Sequence, residues 1–264
     1  MTEEIKYFII GLIQGLAEFF PISSSGHIIL FSHILDLADK HPLLLSITVH
    51  FATTLSTMII YRDRIKKIFL GVIKYKKRQE IYFLYKIIVS AFPIILVGLL
   101  LKDKIDIMFE DADQLVLIML LFTGMLLILS TTFRKNSKKI TFFHAIMMGI
   151  AQAIAIIPGI SRSGITIVMA LFYKIKREDA AEFSFLMVLF PILGITLVEL
   201  FFVLNTEVSI DVITIKGLAI AFLASFVSGL IACYYMIKIV ENNSLKYFGF
   251  YCLIIALIGI SLSL

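Results

Sequence analysis

The chain has 264 residues, of which 60% are hydrophobic and only 16% are charged, and its mean hydropathy is +1.00. A chain this apolar cannot cover its surface with polar side chains, which excludes an ordinary water-soluble domain. The formal net charge of +5 is explained by basic loops and gives no support for nucleic-acid binding.

Eight apolar blocks follow one another along the chain, near residues 5–35, 43–61, 84–101, 115–133, 141–172, 183–204, 216–237 and 247–264. A helix that crosses a hydrocarbon core of about 30 Å needs roughly 20 residues. The blocks are continuously apolar and lack the period-2 alternation of a membrane β-barrel. The pattern therefore predicts an all-α polytopic membrane protein, a single integral membrane domain over residues 1–264.

The first block contains a polar interruption, EFFPISSSGH at 18–27. An ionised carboxylate inside a membrane costs at least about 2.5 kcal/mol unless it is paired or hydrated. Glu18 is therefore a candidate metal ligand or general base. Gln14 lies one helical turn earlier on the same face, either as a second candidate metal ligand or as a hydrogen-bonding group between helices. Pro21 is expected to break the helix here.

Three serines and a glycine follow this break, namely Ser23, Ser24, Ser25 and Gly26. Hydroxyls and free backbone N–H groups at the start of a half-helix form a site that suits anions such as phosphate. His27 lies just inside the half-helix, and an imidazole can transfer protons or attack phosphorus.

The charges of the loops predict the orientation of the chain. Segment 62–80 carries eight Lys and Arg residues against two acidic residues, and 134–139 reads RKNSKK. Basic loops stay on the cytoplasmic side. The acidic loops at 102–114 and 205–211 are then expected outside, as is the loop at 31–42, whereas 173–182 is expected inside.

The fifth block contains a second interruption, PGISRSGIT at 158–166, with an expected break at Pro158. An arginine deep in a membrane protein needs an anionic partner, and a guanidinium fits phosphate oxygens bidentately. Arg162 is therefore a candidate phosphate ligand, or a structural partner of Glu18. The second candidate anion site is completed by Ser161, Ser163, Gly164 and Thr166.

The two interruptions are related by a shift of 138 positions, which aligns GLIQGLAEFFPISSSGHIIL (11–30) with GIAQAIAIIPGISRSGITIV (149–168). The same shift carries the three ordinary blocks of the first half onto those of the second. We therefore predict internal repeats 1–133 and 139–264, each a re-entrant helix–loop–helix plus three transmembrane helices. Because three spans invert the second repeat, the two turns should enter from opposite faces and meet at a polar site.

A carboxylate, an imidazole, hydroxyls and a guanidinium in one pocket suit phosphoryl-group chemistry on a lipid with a phosphate headgroup. A transporter or flippase of a phosphorylated lipid is the alternative, because inverted repeats with broken helices are typical of secondary transporters. Release of phosphate distinguishes the two functions.

At these residues the sequence resembles the bacitracin-resistance family of undecaprenyl-diphosphate phosphatases. QGLAE (14–18) matches the Glu/Gln-x-x-x-Glu motif of that family, and FPISSSGH (20–27) continues it. PGISRSGIT (158–166) matches the motif Pro-Gly-x-Ser-Arg-Ser-x-x-Thr in full. Many members carry glutamate where this chain has Gln14, which reduces the number of carboxylates available to a metal.

The resemblance implies hydrolysis of undecaprenyl diphosphate to undecaprenyl phosphate and inorganic phosphate, which recycles the lipid carrier for cell-wall synthesis and confers bacitracin resistance. It implies a divalent cation, Mg²⁺ or Ca²⁺, and an active site that opens toward the outer face of the bacterial inner (plasma) membrane. Glu18 is then the essential carboxylate, Arg162 the diphosphate ligand, and Ser24 and His27 the candidate nucleophiles. Of these two we favour His27, because an imidazole attacks at neutral pH without first losing a proton.

The partners that follow are a polyprenyl diphosphate substrate and the surrounding membrane lipids, with no nucleic acid. A homodimer is an open alternative to a monomer.

Overall fold

The computed structural model of the chain describes residues 1–35, 42–109, 112–133, 137–205, 212–242 and 244–262. These residues are almost entirely helical, and the described part contains no β-strand beyond one bridge between Lys138 and Ile175. The helices of the first half are α1 (Glu3–Phe19), α2 (Ser24–Ile34), α3 (Pro42–Ile60), α4 (Arg62–Ile73), α5 (Arg78–Leu100), α6 (Lys102–Phe109) and α7 (Asp113–Leu129). Those of the second half are α8 (Phe142–Ile154), α9 (Arg162–Phe172), α10 (Arg177–Met187), α11 (Leu189–Asn205), α12 (Val212–Glu241) and α13 (Leu245–Ser261).

Within the described part of the chain, five helical segments have the length and composition to cross a membrane. They are Leu43–Ile60, Arg78–Leu100, Asp113–Thr132, Arg177–Val198 and Thr214–Glu241. The sixth predicted span, α13, has 17 residues, which is a length of about 25 Å at 1.5 Å per residue. The prediction of an all-α polytopic membrane protein is therefore confirmed.

Both polar interruptions break a helix at the expected proline. Helix α1 ends at Phe19 and α2 begins at Ser24, while α8 ends at Ile154 and α9 begins at Arg162. Helices α2 and α9 have 11 residues each, or roughly 16 Å, about half the hydrocarbon thickness. The bounds of α2, moved by the predicted shift of 138, give those of α9, since 24 + 138 = 162 and 34 + 138 = 172.

Three segments differ from the sequence prediction. The basic segment 62–80 is not a loop throughout, because it contains α4, and the acidic segment 102–114 likewise contains α6. The predicted span 183–204 is divided between α10 and α11 at Val188. Pro191 lies in the first turn of α11, where its ring would clash with the carbonyl of Met187 in a continuous helix.

Several predicted loops lie partly outside the described residues, namely 36–41 of 31–42, 110–111 of 102–114, 134–136 of 134–139 and 206–211 of 205–211. The described parts of these loops still lie in two groups, one at each end of the helical bundle. The backbone of Lys138 pairs with those of Lys174 and Lys176, and Arg64 bonds to Glu182, so 62–80, 137–139 and 173–182 share one end of the bundle. His33 contacts Asp113 at 3.1 Å at the other end. Which end is cytoplasmic stays a prediction from charge.

The two halves interlock through close helix contacts. Helix α1 packs along α12, and α8 packs along α5, so each re-entrant segment rests on a span of the other half. A Cβ added at Gly11 would lie 2.3 Å from the carbonyl oxygen of Ala221, and one at Gly149 would lie 2.4 Å from that of Ser90. Small residues at such positions let membrane helices approach closely. This exchange of partners is what two related repeats would produce, and their inverted relation stays a prediction.

Candidate active site

The two breaks meet inside the helical bundle. Glu18 lies at the C-terminal end of α1, and Arg162 is the first residue of α9. Their side chains form an ion pair. The turns themselves are in contact, because a Cβ added at Gly26 would lie 3.2 Å from the Cα of Gly159. The two predicted anion sites are therefore parts of one site.

Both carboxylate oxygens of Glu18 are engaged. Arg162 Nη2 donates to Oε1, while Ser24 Oγ donates to Oε2 at 2.8 Å and Gln14 Nε2 donates to the same oxygen at 3.2 Å. A buried carboxylate with this set of donors is held ionised and in one orientation.

Ser23 caps the second half-helix of the first repeat. Its Oγ accepts a hydrogen bond from the Gly26 N–H at 3.3 Å and lies 3.4 Å from Ser25 Oγ. Its backbone has φ 70° and ψ 98°, a conformation that costs a non-glycine residue on the order of 1–3 kcal/mol. This turn aims Ser24 at Glu18, and the N–H groups of Ser24 and Ser25 have no hydrogen-bond partner among the described residues.

Ser161 repeats this arrangement in the second turn. Its Oγ accepts from the Gly164 N–H at 3.1 Å and lies 3.3 Å from Ser163 Oγ. Thr166, by contrast, is turned toward α10, where its Oγ1 lies 2.6 Å from Ser184 Oγ and donates to the Arg162 carbonyl at 2.8 Å. Thr166 therefore supports α9 rather than facing Glu18.

His27 is almost completely buried, at 2% exposure. Its Nδ1 lies 2.9 Å from the carbonyl oxygen of Ser23, which can only accept, so Nδ1 carries the proton. Its Nε2 lies 2.9 Å from the hydroxyl of Tyr251 on α13. The two rings are stacked with centroids 5.6 Å apart and an interplanar angle of 13°. In the neutral ring Nε2 is the acceptor, so Tyr251 donates to it.

Three threonines of α3 complete the site, and sequence reasoning did not identify them. Thr53, Thr54 and Thr57 line the same cavity as Glu18 and Arg162. Each donates its hydroxyl proton to a carbonyl of its own helix, which leaves oxygen lone pairs toward the cavity. The signal was present, because these residues recur at helical spacing along one membrane span. The apolar side of the cavity is formed by Phe19, Phe185, Val188, Leu189 and Ile192.

Thr123 on α7 holds the second turn and was also missed. Its Oγ1 donates to the Gly159 carbonyl at 3.0 Å and accepts from the Ser161 N–H at 3.1 Å. Gly159 has φ +94°, in the region that favours glycine. The buried Thr123 hydroxyl thus pairs with the Gly159 carbonyl and with the Ser161 N–H group, which both belong to the strained turn before Arg162.

Two buried atoms in the site have no hydrogen-bond partner among the described residues: Gln14 Oε1, an acceptor, and Arg162 Nη1, a donor. An unpaired buried donor on a cation fits an anionic ligand such as phosphate. An unpaired amide oxygen beside a carboxylate fits a hard cation. No group of three His, Cys, Asp or Glu side chains in the described part could hold a metal alone. Substrate oxygens and water would have to supply the remaining ligands, as is usual for Mg²⁺.

The chain matches known proteins over nearly its whole length. The model of a family described as "Bacitracin resistance protein BacA" matches residues 7–258. The chain is 39% identical over 254 residues to a protein named undecaprenyl-diphosphatase from Christiangramia forsetii, covering 96% of this chain and 95% of that protein. A protein of the same name from Bacteroides thetaiotaomicron is also 39% identical, with 96% of each chain covered. One from Methanococcus maripaludis is 36% identical, covering 94% of this chain and 96% of the relative.

Proposed function

The chain belongs to the BacA family of bacitracin resistance proteins, and we propose that it is an undecaprenyl-diphosphatase that uses the groups around Glu18 and Arg162. It hydrolyses undecaprenyl diphosphate to undecaprenyl phosphate and inorganic phosphate, which returns the lipid carrier to cell-wall synthesis and confers resistance to bacitracin. The observation that carries the proposed site is the ion pair of Glu18 with Arg162, in which Arg162 keeps one buried N–H group unpaired.

The diphosphate binds where the N-termini of α2 and α9 converge. Both helix starts present backbone N–H groups, and helix N-termini favour anions. Arg162 offers its unpaired Nη1 to a phosphate oxygen. Ser25 and Ser163 lie beside the capping serines and supply further donors. The threonines of α3 face the same cavity, so they contact the substrate or the attacking water.

We propose Ser24 as the nucleophile, because its hydroxyl donates to the Glu18 carboxylate at 2.8 Å. Arg162 keeps Glu18 in place through Nη2 while its Nη1 binds a phosphate oxygen, so the carboxylate stays aimed at the Ser24 hydroxyl as its proton acceptor. Glu18 then takes the hydroxyl proton while Ser24 Oγ forms a bond to the terminal phosphorus. The bond from that phosphorus to the bridging oxygen breaks, and undecaprenyl phosphate leaves.

Water completes the turnover. Glu18 gives the proton it took from Ser24 to the departing undecaprenyl phosphate. It then takes a proton from a water molecule whose oxygen attacks the phosphoserine, the Oγ–P bond breaks to release inorganic phosphate, and that proton passes to Ser24 Oγ. The free hydroxyl of Ser24 is restored, so the protein is unchanged and one water is consumed. Stabilisation of the charge on the transferred phosphoryl group by Arg162 and backbone N–H groups supplies most of the rate enhancement in such sites.

His27 is proposed as a positioning residue rather than as the attacking group favoured from sequence alone. Both of its ring nitrogens are engaged, Nδ1 with the Ser23 carbonyl and Nε2 with Tyr251. Attack on phosphorus would require Nε2 to lose the Tyr251 hydroxyl. The ring instead holds the Ser23 carbonyl and thereby the turn that directs Ser24.

A divalent cation, Mg²⁺ or Ca²⁺, is part of the proposal. Glu18 and the unpaired Gln14 Oε1 would hold it. When bound, it supplies positive charge to the phosphate oxygens and so stabilises the leaving group. We further propose that the chain lies in the bacterial plasma membrane with the site open to the outer face, which follows from the basic end of the bundle being cytoplasmic.

Phosphate release by purified protein in detergent tests the function. Undecaprenyl diphosphate is supplied with Mg²⁺, with Ca²⁺ or with EDTA, and the matched control is Glu18→Gln. Release that depends on the metal and is absent from Glu18→Gln is the expected result. Bound lipid without release in any condition would instead support a transporter or flippase. Release that EDTA leaves unchanged would contradict the metal role alone.

A further inference from the structure

Helix α4 lies at the boundary of the membrane. The span α3 ends at Ile60, one residue separates it from α4 at Arg62, and α5 begins its own span at Arg78. Connections of one residue before α4 and four residues after it keep the helix near the ends of both spans, which is where the lipid headgroups lie. Its 12 residues, RDRIKKIFLGVI, are amphipathic.

One face of α4 is fixed to the bundle. Arg64 donates to Glu80 at 2.6 Å and to Glu182 at 2.7 Å, and its guanidinium lies 4.3 Å from the ring centre of Phe83. Gly71 packs so closely on Glu80 that an added Cβ would lie 2.6 Å from the Glu80 Cγ. These contacts set which side chains of α4 point outward.

The outward face combines large apolar side chains with cations. Phe69 is 60% exposed, Ile73 is 61% exposed and Tyr75, just beyond the helix, is 56% exposed. Six exposed basic residues surround them and form no ion pair with any described residue: Arg62, Lys66, Lys74, Lys76, Lys77 and Arg78. Large apolar side chains such as Phe69 and Ile73 are not expected to face water on a helix that is fixed beside two membrane spans.

We propose that this face binds anionic phospholipid, with Phe69 and Ile73 among the acyl chains and the six cations on lipid phosphates. An amphipathic helix with aromatic and aliphatic residues beside Lys and Arg is the form that lies in a bilayer interface. Basic segments next to a membrane span attract anionic lipids electrostatically. The site is separate from Glu18 and Arg162 and does not depend on the proposed reaction.

A second copy of the chain is a poorer occupant of this face. In a two-fold dimer the same patch meets itself, so the six cations of one copy would face the six of the other. The lipid has the complementary charge and the apolar tail that the surface requires.

The chain contains no tryptophan, so Phe69→Trp places a single fluorescent reporter on this face. The variant is reconstituted in phosphatidylcholine bilayers that contain equal fractions of brominated phosphatidylcholine or brominated phosphatidylglycerol, and quenching is compared. We expect brominated phosphatidylglycerol to quench the tryptophan fluorescence at position 69 at least about twofold more strongly than brominated phosphatidylcholine does. Replacing Lys66, Lys74, Lys76 and Lys77 by Gln should remove this preference.

Phe92→Trp is the matched control, because Phe92 is 64% exposed within the span α5. Its quenching should be the same with either lipid. Absence of quenching at position 69, or equal quenching by the two lipids there, would overturn the proposal. A preference that survives the four Gln substitutions would overturn the assignment of these lysines. Phosphate release in the same bilayers shows that each variant is folded.

Discussion

The Glu18 carboxylate and the Arg162 guanidinium are paired although 144 positions separate them in the chain. Each lies at a helix break in a different half of the molecule, so neither half contains the site alone. Removing one partner from a buried pair costs roughly 3–5 kcal/mol, because the other charge is left uncompensated. Conservative variants are therefore the informative ones.

Arg162→Lys keeps the positive charge but loses the planar fork that can hold Glu18 and a phosphate oxygen together. We expect kcat/KM for undecaprenyl diphosphate to fall by about 10²–10³, measured as phosphate release. Arg64→Lys is the matched control, since it changes an arginine that also pairs with glutamates, but at the far end of the bundle. Equal losses in the two variants would mean that the effect is structural.

Ser24→Ala should lower kcat by roughly 10³-fold or more if Ser24 forms the covalent intermediate. Ser25→Ala is the neighbouring comparison, since Ser25 is proposed to donate to the phosphate without being the attacked group, and its kcat should fall by no more than about 10-fold. Substrate labelled in the terminal phosphate, with the reaction stopped within one turnover in neutral denaturant, should leave the label on Ser24, where it survives acid. Label found on His27, stable to alkali but lost in acid, would reinstate the imidazole as nucleophile.

Tyr251→Phe removes one hydroxyl and keeps the ring stacked on His27. Without that donor the imidazole is held only through Nδ1, so we expect kcat to fall by about 10-fold with little change in KM. Tyr247→Phe, on the same helix but 64% exposed, should behave as wild type. A larger fall in affinity than in kcat would show that Tyr251 contacts the substrate directly.

Gly159→Ala should destabilise the protein. The residue has φ +94°, and an added Cβ would lie 2.6 Å from the carbonyl oxygen of Val116, so strain and collision together cost about 1–3 kcal/mol. Gly98→Ala is the control, because nothing lies within 4 Å of its added Cβ. The temperature at which half of the protein aggregates in detergent, measured by size-exclusion chromatography, should fall only for Gly159→Ala.

The orientation of the bundle can be measured with single cysteines. A membrane-impermeant maleimide added to intact cells should label Asp106→Cys in α6 and leave Lys76→Cys unlabelled, because basic loops are retained inside. The native Cys233 and Cys252 are fully buried and give little background. The opposite labelling pattern would reverse the orientation and place the site on the cytoplasmic side.

The sequence predicted both helix breaks, and the need of Arg162 for an anionic partner, because each depends on residues that lie close together in the chain. Proline, serine and glycine in an apolar block mark a broken helix, and a buried arginine requires an anion. The sequence did not predict the helix α4, because the eight basic residues of segment 62–80 obscure the helical recurrence of its apolar side chains. The breaks were also easier because they occur twice, which the shift of 138 reveals.

The remaining parts of the site depend on packing between distant segments. Tyr251 is 224 positions from His27 and lies in an ordinary apolar helix, so no local pattern links the two. Thr123 and the threonines of α3 are common residues in membrane helices, and only the arrangement of α3, α7 and α9 directs them to the turns. Which nitrogen of His27 carries the proton is a consequence of these contacts and does not follow from residue identity.

The packing of α1 on α12 has a consequence for synthesis of the chain. Roughly 190 residues separate Phe19 from Val212, which is about 10–40 s of translation at 5–20 residues per second. During this interval Gln14 and Glu18 lack their final surroundings, because α1 is made well before the helix on which it packs. A chain truncated before α12 leaves this face of α1 uncovered, so it should be degraded rather than persist as half an enzyme.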